Sequence, residues 1–175
     1  MAETISLVAN DDIRKLVSET LQELRKKLAS FTEDNLNKLP FENSWTAAQV
    51  FDHLLKSYNV VETLNGGVKD ADRNPLEKEK AIADVFLNFE TKLQSPSFII
   101  PDKKHFVKKE LEERLDKKIR GLIHAATTLD LSVICTDFEL PQMGHLTRAE
   151  WLYFVSYHTR RHLHQLQKME SALSK

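Results

Sequence analysis

Apolar residues recur along this chain with the period of a helix and almost nowhere with that of a strand. Ile13, Leu16, Val17, Leu21, Leu24 and Leu28 fall at steps of three and four with charged residues between them, which puts them on one face of an amphipathic helix. That helix is expected from about Asn10, an N-cap followed by Asp11 and Asp12 in the first turn, to about Ser30. Thr46 and Gln49 form a capping box flanked by Trp45 and Val50, and the stripe Val50, Leu54, Val61, Leu64 predicts a second helix to about Leu64, stopped by Asn65, Gly66 and Gly67. Asn74 and Pro75 suit the opening of a shorter helix through about Leu93, carrying Ile82, Val85, Phe86 and Phe89. Leu111, Leu115, Ile119, Leu122, Ile123 and Ala126 predict another from Lys104 or His105 to about Thr128. A last helix is expected over Leu146 to Met169, opened by a capping box of Thr147 and Glu150, with Leu146 and Trp151 placed as a staple and with Val155, Leu166, Met169 and Leu173 continuing its apolar stripe.

The connections are legible from their breakers. Phe31 to Ser44 contains Pro40 and a short turn around Asp34 to Leu39; Gln94 to Asp102 is bracketed by Pro96 and Pro101 and reads as irregular, although its Phe98, Ile99 and Ile100 require cover. They would pack over the bundle or at a subunit contact. Leu129 to His145 is a long late connection through Pro141 and Gly144, placed to form the rim of a site. The expectation is an all-α protein, a four-helix bundle with an additional short helix and one long late connection, in a single domain spanning residues 1–175.

Composition narrows the function classes. Four Gly, five Pro and 29% charged residues suit helices, and a net charge of −1 gives no general attraction for phosphate backbones. The basic run from Lys103 to Arg120 is interleaved with Glu110, Glu112, Glu113 and Asp116, the pattern of a solvated helix face, so nucleic-acid binding is disfavoured. One cysteine, Cys135, allows no internal disulfide and suits a reducing cytoplasm; it follows Ile134 in an apolar stretch, where a small buried thiol is expected. No apolar run reaches membrane-spanning length and the first residues lack a signal-peptide pattern, so a soluble cytoplasmic protein is expected.

Chemistry enters where the last stripe is interrupted. Filling its gaps at alternating steps of three and four puts His158 and His162 at seam positions. Four residues apart on one face, they can offer ring nitrogens to a single point. His53 falls on the inner side of the second helix between Val50 and Ser57, a third inward imidazole. Three imidazoles suit a metal centre that keeps positions open for water or substrate, and zinc, nickel, iron and manganese all accept such donors, so the element is not distinguished. The same pattern also describes core histidines satisfied by hydrogen bonds. His164 lies roughly 200° around the helix from His162 and is expected to face solvent beside Arg160 and Arg161; His124, near a helix end, reads as structural. No carboxylate stands in a fixed relation to the histidines: Asp52 points roughly 100° away from His53, and Glu139 and Glu150 are the acids nearest the expected rim. Gln49 and Gln165, each about one turn from a histidine, are candidates to orient an imidazole or a water, or simply a polar edge to the seam.

The run GHLTRAEWLYFVSYHTRRHLHQLQKM, preceded by Pro141 and paired with SWTAAQVFDHLL upstream, resembles the DinB-like superfamily of four-helix-bundle proteins, with metal-dependent hydrolases and thiol-dependent transferases among its members. The likeness covers about Asn10 to Met169 and is most specific in the HTRRH segment, in Gly144 with Leu146 and Thr147, and from Trp45 to His53. It implies His53, His158 and His162 as ligands of one divalent ion, with Arg161 and Gln165 buttressing the site or lining its edge. A small-molecule substrate, a low-molecular-weight thiol as co-substrate and a homodimer are further implications; a bundle that only binds metal or a small ligand is the non-catalytic alternative. His145 departs from the pattern, since many relatives have proline there.

Overall fold

A computed structural model describes residues 2–174, with side chains described for residues 10–174. The first stripe forms helix α1 (Ala2–Ser30), followed by the short α2 (Glu33–Asn37). The second forms α3 (Ala47–Ser57), which breaks at Tyr58 and resumes as α4 (Val60–Asn65). A two-residue strand β1 (Val68–Lys69), helix α5 (Glu79–Phe86), a single 3-10 turn (Ser97–Ile99) and helix α6 (Lys108–Thr128) come next. Strand β2 (Ile134–Cys135) pairs antiparallel with β1 before α7 (Arg148–Leu173) closes the chain. The apolar positions of α1, α3, α6 and α7 meet in one core: Ile13, Val17, Leu21, Leu24, Leu54, Leu111, Leu122, Trp151, Leu152, Val155 and Leu166 are each at most 1% exposed. Burying each large side chain contributes about 1.5–3 kcal/mol, which is what fixes these helices more than their intrinsic propensities.

Cross-helix contacts give the directions. Lys27 of α1 meets Gln167 and Glu170 of α7, both near their helix ends, so α1 and α7 run parallel. Arg14 reaches the Ala126 carbonyl and Arg25 pairs with Asp116, so α6 runs against α1. Asp52 meets Arg114 and Asn59 meets Lys118, so α3 runs with α6. The order is up, down, down, up. Two parallel neighbours cannot be joined by a tight turn, and residues 66–107 therefore travel back along the length of the bundle. On the way α5 packs on α7, and the 3-10 turn packs on α3.

Several boundaries differ from expectation. Helix α1 begins at Ala2, which leaves Asn10, Asp11 and Asp12 inside the helix instead of at its cap; nothing before Asn10 breaks a helix, and good formers continue it. The second helix does not run unbroken to Leu64, because the Tyr58–Asn59 step tightens to i−3 bonding and Tyr58 donates or accepts a 2.6 Å hydrogen bond with Thr159 of α7. Asn74 caps only a turn through its bond from the Leu76 amide; α5 starts at Glu79 and ends at Phe86, well before Leu93. Helix α6 opens at Lys108, after Val107 as N-cap, some residues later than His105. Of the FII run, Ile99 is buried while Phe98 and Ile100 are 62% and 45% exposed.

Both capping boxes form as their residues suggest. Thr147 does more than cap: its hydroxyl accepts from the Glu150 amide and donates to the Pro75 carbonyl at 2.7 Å, tying α7 to the crossover. Thr147→Ala should therefore destabilise the protein by about 2 kcal/mol, the upper end for a lost N-cap, read as a shift of the urea midpoint without a change in slope. Among the described residues, no helix is long and apolar enough to cross a membrane.

Candidate metal centre

Because α3 and α7 face each other in opposite directions, the histidine on one comes opposite the pair on the other. His53 Nε2 lies 3.1 Å from His158 Nε2, and His162 Nε2 lies 3.0 Å from the same atom. Donor atoms of all three rings fall within 4.8 Å of one another. His53 and His158 are buried and His162 half-buried. Aromatic neighbours hold the rings: His158 stacks on Phe154 at 5.3 Å and abuts Phe86, and Trp45 packs against His53.

The outer nitrogens decide where the protons sit. His53 Nδ1 donates to the Ile99 carbonyl at 3.0 Å, and His162 Nδ1 donates to Gln165 Oε1 at 2.8 Å. Each ring thus keeps its Nε2 as a bare lone pair aimed at the centre. His158 Nε2 faces both, and a neutral ring has at most one proton to give them; its own Nδ1 is buried with no partner. At least one nitrogen pair is therefore lone pair against lone pair at about hydrogen-bond distance. Extra protons do not relieve this. Burial, with the neighbouring His162, His53 and Arg161 charges, holds His158 well below the ordinary 6.5. Burial likewise pushes His162 down to about 3, and it lowers His53 against the opposing pull of the Ile99 carbonyl. Three neutral donors converging on one point fit a metal ion, since nitrogen–metal bonds of about 2.0–2.1 Å bridge separations of this size.

The other candidate residues sort plainly. Gln165 is on His162, as its spacing suggests. Gln49 does not reach His53: its Oε1 accepts from the Thr46 amide and its Nε2 donates to the Lys103 carbonyl, so the cap has claimed it. Arg161 donates to the Asn88 carbonyl at 2.6 Å and to the Thr91 carbonyl, and lines the cavity next to the centre. Asp52 turns away to pair with Arg114 and Lys56. Glu150 is 0% exposed and wholly engaged, accepting from both Arg73 nitrogens at 2.7 Å and from the Lys78 and Thr147 amides. Glu139 pairs with His145 at 3.1 Å. Neither serves the histidines. His164 does not stand free in solvent but stacks on Phe89 at 4.6 Å, and His124 is exposed on α6. Cys135 is fully buried, and its thiol is pushed up to about 11 by that burial.

The centre opens on a cavity of about 1240 Å³. The bundle supplies its floor, with Trp151, Phe154 and the histidines, while its sides come from the crossover, with Phe86, Phe89 and Phe98, and from the late connection, with Phe138 and Leu140. Phe98 and Phe138 meet edge to face across it at 5.8 Å. The Ile99 carbonyl, which orients His53, was invisible to side-chain patterns; the only trace of it is an apolar triplet fixed between two prolines.

A family model described as the DinB superfamily matches residues 16–166. A Bacillus subtilis (strain 168) protein, uncharacterized protein YuaE, is 26% identical over 165 residues, covering 91% of this chain and 98% of that protein. No solved structure matches.

Proposed function

The chain belongs to the DinB superfamily, and from that premise we propose that it is a metal-dependent enzyme acting on a small substrate, with His53, His158 and His162 holding one divalent ion. The observation that supports this best is the meeting of three neutral imidazole Nε2 atoms, at least two of them bare lone pairs, with one proton at most to share among them. When bound, such an ion with three neutral ligands lowers the pKa of a water or a thiol enough to make it a nucleophile near neutral pH.

The chain's own groups do the rest. The Ile99 carbonyl and Gln165 fix two ring orientations, and Phe86, Phe154 and Trp45 pack against the His158 and His53 rings. Among the described residues no carboxylate is hydrogen-bonded to any of the three rings. A thiol is far more acidic than water and can give its proton to bulk solvent on coordination, so it suits a site without a hydrogen-bonded carboxylate better than a water does. Thiol-dependent transfer is therefore the preferred reaction class, with hydrolysis second. Zinc, nickel, iron and manganese all remain compatible with the donor set.

Elemental analysis of protein purified without a histidine tag tests the centre. Wild type should carry about one divalent ion per chain and the His158→Ala, His162→Ala double variant almost none; equal metal in both would end the ligand assignment. Gln165→Met, which leaves His162 Nδ1 without its acceptor, should weaken affinity about 10–100-fold in competition with a chromophoric chelator. For the nucleophile, a cobalt-loaded sample should gain a near-ultraviolet sulfur-to-metal band on adding a small thiol; no such band would favour hydrolysis.

A further inference from the structure

The charges around the cavity do not balance. Its lining contains three cationic side chains, Lys92, Arg161 and Lys168, and a single acidic one, Glu62. Glu62 is exposed and has a cation of its own nearby in Lys118, whose pKa burial lowers against the opposing pull of that carboxylate. None of the three cations makes an ion pair among the described residues. Arg161 is the deepest of them, half-buried and adjacent in sequence to His162. Its two recorded bonds, to the Asn88 and Thr91 carbonyls, use two of its five donors and neutralise no charge. Three N–H donors are left over, enough for the paired bonds that a carboxylate accepts.

A dication held by three uncharged imidazoles would add to this excess, and that part of the count rests on the metal reading above. Uncompensated positive charge beside apolar walls is costly, and an anionic ligand removes the cost. The rest of the cavity asks for the opposite chemistry. Phe86, Phe89, Phe138, Trp151 and Phe154 supply aromatic walls, and the volume of about 1240 Å³ is far more than a water or a small thiol fills.

We propose that the cavity binds an anionic amphiphile, a monocarboxylate carrying a long or aromatic apolar body. Its carboxylate is gripped by Arg161, the rim lysines Lys92 and Lys168 draw it in, and its body lies against the aromatic walls. The head group then sits at the histidine end of the cavity and the tail runs under the Phe98–Phe138 pair.

The protein carries its own reporter, because Trp45 and Trp151 are its two tryptophans and both line the cavity. Their fluorescence is titrated with decanoate below its micellar range, with decanol and with butyrate, on wild type, Arg161→Gln and Arg161→Lys, each sample being assayed for metal. Decanoate should saturate the signal at least tenfold more tightly than either decanol, which has no charge, or butyrate, which has no tail. Arg161→Gln should weaken decanoate about tenfold and leave decanol unchanged, and Arg161→Lys should recover most of the difference. Should Arg161→Gln lose its helical circular dichroism, the Lys92→Gln, Lys168→Gln double variant carries the comparison, with decanoate weakened a few-fold and decanol unaffected. Equal binding of decanoate and decanol by wild type, no saturable binding of either, or indifference of decanoate to the charge variants would overturn the proposal. Metal without a carboxylate preference sinks this inference alone, and a carboxylate preference without metal sinks the metal centre alone.

Discussion

Stripping divalent metal from the protein with a chelator should lower its melting temperature by roughly 10 °C. An ion present at a thousand times its dissociation constant stabilises the folded state by about 4 kcal/mol, and a chain of this size shifts by about 2–4 °C per kcal/mol. The sharper form of the prediction concerns His158→Leu. In the stripped wild type this imidazole faces two other lone pairs and keeps a buried Nδ1 without a partner, so an apolar side chain of similar size should do no worse in its place. With chelator the variant should melt at or above the wild type, and with metal well below it. Circular dichroism melts under the two conditions give all four values. A wild type insensitive to chelation, or a variant inferior under both conditions, would show that these imidazoles are at ease without an ion.

Arg73→Met should cost about 3–5 kcal/mol, a large fraction of the stability of an ordinary domain. Its guanidinium grips Glu150 with two bonds of 2.7 Å, and that carboxylate is 0% exposed at the start of α7. Removing the cation strands a charge that water cannot reach. The Arg73→Met, Glu150→Gln double variant should recover part of the loss: glutamine carries no charge, but its single oxygen can accept from only one of the Lys78 and Thr147 amides, which Glu150 meets with separate oxygens. Urea unfolding of the four proteins forms a double-mutant cycle. A cost under about 1 kcal/mol for the single variant would mean that the pair behaves as a solvated surface bridge.

What could be read in the sequence is what depends on local period and local caps. Stripes at steps of three and four gave the bundle, Thr46 with Gln49 and Thr147 with Glu150 marked two helix starts, and the gaps in the last stripe pointed to His158 and His162. What could not be read depends on the path between helices. That α3 and α6 run in the same direction is written in no single stretch, yet it is the reason for a crossover that walls the cavity. Gln49 shows how one signal can hide another: the spacing that pointed it at His53 is the spacing that commits it to the Thr46 amide. Glu150 shows the same conflict, since an acid close in sequence to the late connection is consumed by Arg73 and two backbone amides. The partner of His53 was a main-chain carbonyl, and main-chain groups leave no residue code.

That last detail bears on how such a scaffold can diversify. The returning stretch between α4 and α6 is anchored on the helical core by Leu76, Ile82, Leu87 and Phe106, while its Phe89 and Phe98 answer to whatever the cavity encloses. Grafting that stretch from one relative to another would exchange the guest while leaving the imidazole trio untouched. The ties the graft must keep are Arg73, Pro75 and Lys78, which hold the start of α7, and the oxygen at Ile99, which every amino acid possesses.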